Sequence, residues 1–155
     1  MNIEVMSRSE AERKDAHSGM WCLSITDVAA EDATLRGYGR VGRFAFDDVK
    51  AGHGLAMNDR DASRIWRFVE QALDANIPHM VIHCEAGISR SAAVASAIVN
   101  RHGDRVTWLN RAARLYVAGQ GEVPRFNPNP HVYWLLTGEA LPAGVFEDGG
   151  SKESR

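Results

Sequence analysis

The chain is poor in cysteine. Cys22 and Cys84 are the only two among 155 residues, and they form no C-x-x-C pair. That excludes a disulfide-stapled scaffold and a cysteine-built zinc module, and it suits a reducing compartment. The chain also lacks any apolar run near the roughly 20 residues that a membrane span needs. Its first residues, MNIEVMSRSE, hold no apolar core of signal-peptide length. Net charge is low too, formally -2 at pH 7, so no overall field recruits nucleic acid or an anionic membrane. His17, His53, His79, His102 and His131 show no pairing at helical spacing and no ligand pattern, which argues against a metal site. Internal repeats and linker-like stretches are absent. What remains, 45% hydrophobic and 25% charged residues, describes an ordinary cytoplasmic globular domain.

Apolar runs alternate with helical stripes, which predicts an α/β domain: a central, mostly parallel sheet of about four to five strands flanked by helices. Short strands are expected over Ile3–Met6, Met20–Ile25 and Arg43–Phe46. The intervening LRGYGRVGR, with three glycines and three arginines, is expected as an exposed loop. Asn58 or Asp59 caps a helix whose apolar face is Ile65, Phe68, Val69, Ala72 and Leu73. Met80–Ile82 reads as a buried central strand, and SAAVASAIVN as a buried helix of small residues, stopped near Gly103. A further helix is expected from an Asp104 cap to Ala118, and a last one from Asn129-Pro130. The domain is expected over residues 1–143, with 144–155 a polar tail. Trp108, Tyr116, Trp134 and Leu135 are expected in the core.

Between the central strand and the small-residue helix lies His83-Cys84-Glu85-Ala86-Gly87-Ile88-Ser89-Arg90-Ser91. A thiol is about 3% ionised at pH 7 when unperturbed. At the mouth of a helix N-terminus, unpaired N–H groups and the positive dipole end favour the thiolate. The peptide N–H groups of Glu85, Ala86, Gly87, Ile88, Ser89 and Arg90 can curl around one centre as an oxyanion nest. Gly87 permits the backbone such a curl demands. Arg90 supplies a planar fork for two phosphate oxygens. Ser91 is placed to donate a hydrogen bond to the sulfur. By average residue usage, H-C-x-x-G-x-x-R-S arises by chance on the order of once in 10⁵ chains of this size.

This segment resembles the Cys-x5-Arg signature of the protein tyrosine phosphatases, closest to their dual-specificity branch. The similarity extends more weakly from the strand before Asp47-Asp48 to the Pro128-Asn129 turn. It implies a two-step reaction through a phosphocysteine on Cys84, with neither metal nor cofactor. It also implies an acidic residue just after a strand, some tens of residues before the cysteine. Asp48, 36 residues upstream, and Asp47, 37 upstream, fit that place. Strand alternation from Phe44 and Phe46 favours Asp48 as the general acid, with Asp47 the alternative. His83 precedes the cysteine as in the family, and its expected role is to support nearby backbone. It faces the opposite side of the strand and so cannot act as the base of a Cys–His pair. Pro128-Asn129 resembles the family's turn into its final helix.

The expected function is hydrolysis of phosphate monoesters on a protein or peptide, phosphotyrosine with phosphoserine or phosphothreonine as further substrates. The loop carries no lysine, which counts against polyphosphorylated inositols. Alternatives are a non-catalytic phosphate-binding module, a phosphoinositide or RNA 5′-phosphate phosphatase, and a sulfurtransferase or arsenate reductase. Cys22 is expected in the core; were it near Cys84, a protective disulfide would be open to it. The arginines 36, 40 and 43 are either a solvated loop or a substrate contact.

Overall fold

The computed structural model describes residues 1–142, so the expected tail from 144 lies outside the described residues. The chain runs β1 (Asn2–Ser7), α1 (Arg8–Arg13), β2 (Met20–Thr26), β3 (Arg40–Ala45), α2 (Asp59–Asp74), β4 (His79–Cys84), α3 (Arg90–His102), β5 (Thr107–Trp108), β6 (Arg114–Val117), β7 (Gly121–Pro124) and α4 (Pro130–Thr137). Five strands form one all-parallel sheet in the order β3-β2-β4-β1-β5. This is the expected α/β architecture. The central strand β4 enters the chain after both of its neighbours, β2 and β1, so the strand order reverses around it. Ligands of open α/β sheets bind at such a point, beyond the carboxyl ends of the strands. Cys84 is the last residue of β4.

Alternation along β4 sorts the sheet into two faces. Met80, Ile82 and Cys84 join the larger core with Ile65, Phe68 and Val69 of α2 and Ala92 to Ile98 of α3. Val81 faces the other way, into a smaller cluster with Met6, Ala11, Met20 and Cys22. Helix α2 begins where the sequence places it, with a reciprocal cap. Asp61 N–H donates to Asn58 Oδ1 at 2.9 Å, and Asn58 N–H to Asp61 Oδ2 at 3.1 Å. Helix α3 is buried along most of its length, and its small side chains bring it close to the sheet and to α4.

Several expectations need correction. The glycine- and arginine-containing stretch is not all loop, because β3 starts at Arg40 and pairs with Trp21 of β2. Here Arg40 lies over the rings of Trp21 and Phe68, at 5.1 and 5.9 Å. Gly42 leaves room for Phe68: a Cβ there would sit 2.7 Å from its ring. The helix expected from Asp104 to Ala118 does not form. Thr107-Trp108 instead pairs with Asn2-Ile3 at the sheet edge, and residues 114–124 make an antiparallel hairpin. The physical reason is the open edge of β1. Beyond β5 the Asn110 side chain continues the pairing, accepting from Val5 N–H at 3.1 Å and donating to Val5 C=O at 2.7 Å. Gly119 and Gly121, at φ +84° and +75°, turn the hairpin. Trp108 is buried, but Tyr116 is 73% and Trp134 53% exposed, so neither is core. A short helix, α1, goes unforeseen, although Ser7 and Glu10 spell its capping box.

Candidate active site

The loop from Glu85 to Ser89 closes over the end of β1. Gly87 adopts φ +68°, and a Cβ there would lie 2.4 Å from Met6 C and Ser7 N. Only glycine meets both demands. Three of the loop's carbonyls are held from outside. Glu85 C=O accepts from Arg8 N–H at 3.1 Å, Ile88 C=O from Asn127 N–H at 2.9 Å, and Ser89 C=O from Asn129 N–H at 3.1 Å. In a trans peptide the N–H points opposite to the C=O. The N–H groups of Ala86, Ser89 and Arg90 therefore point away from the partners of those carbonyls. Among the described residues, no acceptor is found for any N–H from Glu85 to Arg90. Ser89 occupies the N-cap of α3 but does not cap it. Its hydroxyl donates to Asp48 Oδ1 at 2.8 Å instead, which leaves the donors of the first helical turn to an external anion.

Cys84 is 2% exposed, and its Sγ lies 3.1 Å from Ser91 Oγ, itself fully buried. Arg90 is 4% exposed. Its Nη1 donates to Asp27 Oδ1 at 2.7 Å and to Phe46 C=O at 2.8 Å. Its Nε is buried with no partner among the described residues. A buried guanidinium N–H without an acceptor is costly, so this atom too calls for an anion. Asp27, which fixes the guanidinium, escaped the sequence reading. Its signal was its place at the carboxyl end of β2, the edge where α/β sheets gather functional groups.

The two aspartates part company. Asp48 is exposed and accepts at Oδ1 from Ser89 Oγ and from Asn129 Nδ2, both at 2.8 Å. Asp47 is half-buried; its Oδ1 accepts from Val28 N–H at 2.9 Å, away from the loop. Asn129 joins three elements. Its Oδ1 accepts from His131 and Val132 N–H as the cap of α4, its Nδ2 donates to Asp48 and to Val49 C=O at 3.2 Å, and its N–H reaches the loop. Glu85 pairs with Arg8 at 3.2 Å. Arg40 and Arg43 are engaged elsewhere, Arg43 donating to Ala33 C=O at 3.0 Å.

His83 is fully buried on the face opposite Cys84. Its Nδ1 lies 3.1 Å from Cys84 C=O, an acceptor, so Nδ1 carries the proton. Nε2 then accepts from Ser24 Oγ at 2.6 Å. Burial pushes the imidazole below its ordinary value, outweighing the opposing hydrogen bond to Cys84 C=O, and keeps it neutral. Cys22 is fully buried in the small apolar cluster, on the other face of the sheet from Cys84. The two thiols therefore cannot form the protective disulfide left open by the sequence. Burial pushes the Cys22 thiol up to about 12.

Among the described residues no group of three or more His, Cys, Asp or Glu is placed to hold a metal ion, and no helix is long and apolar enough to cross a membrane. No protein-family model matches the chain, and no curated protein sequence matches it.

Proposed function

We propose that the protein is a cysteine-dependent phosphatase that hydrolyses phosphate monoesters on proteins, phosphotyrosine with phosphoserine and phosphothreonine as further substrates. One observation carries the reading. Cys84 opens a loop whose N–H groups, like the buried Arg90 Nε at its far end, have no acceptor among the described residues, and a tetrahedral oxyanion bound in the loop would supply acceptors to them together.

In the first step Cys84 thiolate attacks phosphorus, an S–P bond forms, and the P–O bond to the leaving group breaks. Asp48, in its protonated form, gives the leaving oxygen its proton. In the second step water attacks phosphorus, Asp48 takes back a proton, and the S–P bond breaks with its electron pair returning to sulfur. Ser91 Oγ–H stabilises that departing thiolate across 3.1 Å. Arg90 and the loop N–H groups bear the charge spread over the equatorial oxygens throughout. The chemistry needs a reduced thiol, and both cysteines are free, so the reading carries with it a reducing, cytoplasmic setting.

The test is a panel of phosphopeptides, inositol phosphates and 5′-phosphorylated RNA, offered to wild type and to Cys84→Ser. Phosphopeptide turnover by wild type alone, with phosphate binding kept by the variant, is the expected result. Phosphate binding without turnover by either would make the protein a binding module. Turnover confined to inositol phosphates or RNA would move the substrate class.

A further inference from the structure

Beside Asp48 the surface opens into a cavity of about 540 Å³, within the range of small-molecule sites. Asp48, Val49 and Ala51 form one side; Pro130, Trp134 and Leu141 form the other. Lys50, Asn129 and His131 also border it, but most of the surface lining the cavity is apolar. Trp134, 53% exposed, is among the largest apolar side chains left to solvent. Such a side chain at a cavity rim marks a binding surface more often than a stray exposure.

The cavity is framed rather than loose. The loop carrying Asp48 is tied to the start of α4 at both ends. Asn129 Nδ2 donates to Asp48 Oδ1 and Val49 C=O, and His131 Nε2 meets Met57 C=O at 2.8 Å. Asp48 and Asn129 line the cavity, and both also bond to Ser89 of the phosphate loop. One hydrogen bond therefore separates the apolar space from the loop.

We infer that this cavity is the leaving-group subsite, built for an aryl phosphate ester whose alcohol carries a second bulky apolar group. The inference rests on the phosphatase reading. An acid that protonates the leaving oxygen must sit beside the departing group, so whatever that group carries extends along Asp48. The wall it meets there is apolar. Burying an added ring against such a wall strengthens binding and transition state alike. A phosphotyrosine with a large apolar neighbour in an extended peptide supplies this shape.

Phenyl phosphate and biphenyl-4-yl phosphate test the subsite, because their phenols leave about equally well and differ by one ring. The expected result on the full chain is a kcat/KM about tenfold higher for the biphenyl ester. Trp134→Ala and the cavity-filling Ala51→Trp should each bring the ratio toward one. Equal kcat/KM in wild type, or a ratio untouched by both variants, overturns the subsite while the phosphatase reading stands. If neither ester is hydrolysed while phosphopeptides are, the subsite is overturned; if phosphopeptides are untouched as well, the phosphatase reading falls. Calorimetry with phenylphosphonate and biphenyl-4-ylphosphonate then decides the cavity separately. An affinity ratio of about ten that Ala51→Trp removes keeps it as an aryl phosphate site, and equal affinity overturns it. A preference seen only in a chain ending at Pro142 would show that the protein's own C-terminal residues take the space, and would overturn it as well.

Discussion

Two cysteines lie on neighbouring strands of one sheet, both out of solvent, in surroundings of opposite kind. Cys22 sits inside β2 among Met6, Ala11, Met20 and Val81, where burial outweighs the opposing charge of Arg43 and pushes its thiol up to about 12. Cys84 ends β4, where the backbone breaks into a loop whose amides have no acceptor among the described residues and whose next element is a buried helix. Burial alone therefore says nothing about reactivity. What separates the pair is whether the surrounding backbone has spent its donors on itself. In β2 the strand ladders bond to β3 and β4 on both sides. Around Cys84 three of the loop's carbonyls are held from outside, and among the described residues its amides have no acceptor.

The largest test of this contrast exchanges each sulfur for oxygen. Cys84→Ser should lower phosphate-ester turnover by about 10⁴-fold or more, since it removes the proposed nucleophile. Cys22→Ser should leave kcat within about twofold and cost stability instead, roughly 1–2 kcal/mol for a hydroxyl in an apolar cluster. Steady-state kinetics and urea titration of the two variants decide it. Similar activity losses in both would erase the distinction between the two surroundings.

Next in size is the proposed acid. Asp48→Asn should slow hydrolysis of alkyl phosphates and other poor leaving groups by about 10²-fold, and of 4-nitrophenyl phosphate by only a few fold. Asp47→Asn should show no such dependence, because its carboxylate is turned to Val28 N–H. A uniform loss across leaving groups would remove Asp48 from the role. Asn129→Ala comes after it. The lost amide releases Asp48 from one of its two donors, so the same leaving-group dependence should appear at about tenfold, with KM for good leaving groups nearly unchanged. A loss equal for all esters would make Asn129 a cap and nothing more.

How much of this was legible from residues alone follows from how local each signal is. The strand–loop–helix around Cys84 occupies one continuous segment, and its chemistry is written in adjacent letters. Helix α2 announces itself by its apolar period and its Asn58 cap. The stretch after α3 has no comparable local signal. Its first residues are drawn into β5 by the free edge of β1, a partner a hundred residues away, and Asn110 completes that edge with a side chain. Asp27 had only its place at the end of β2 to mark it, because its partner Arg90 is 63 residues distant. The alternation argument for Asp48 had no backbone beneath it. Strand β3 stops at Ala45, and Asp48 is held by Asn129 and Ser89 rather than by a pleat.

The smallest expected effect concerns His83, which links the two faces of the sheet. Its ring lies on the side of Cys22, yet its Nδ1–H holds the carbonyl of Cys84. Burial places its folded-state value below the ordinary imidazole range, with the hydrogen bond to Cys84 C=O opposing. In the unfolded chain the ring takes a proton near pH 6.5. Between these two values the unfolded state binds more protons, so stability rises with pH there. The contribution is complete above about pH 6.5 and is lost as pH falls through the lower folded value. Urea midpoints of wild type should therefore drop between pH 7.5 and 5 more steeply than those of His83→Gln, which has no titrating ring. Parallel midpoint curves would mean that the imidazole is not held neutral beneath the loop, and that Cys84 owes its position to the loop and to Ser91 alone.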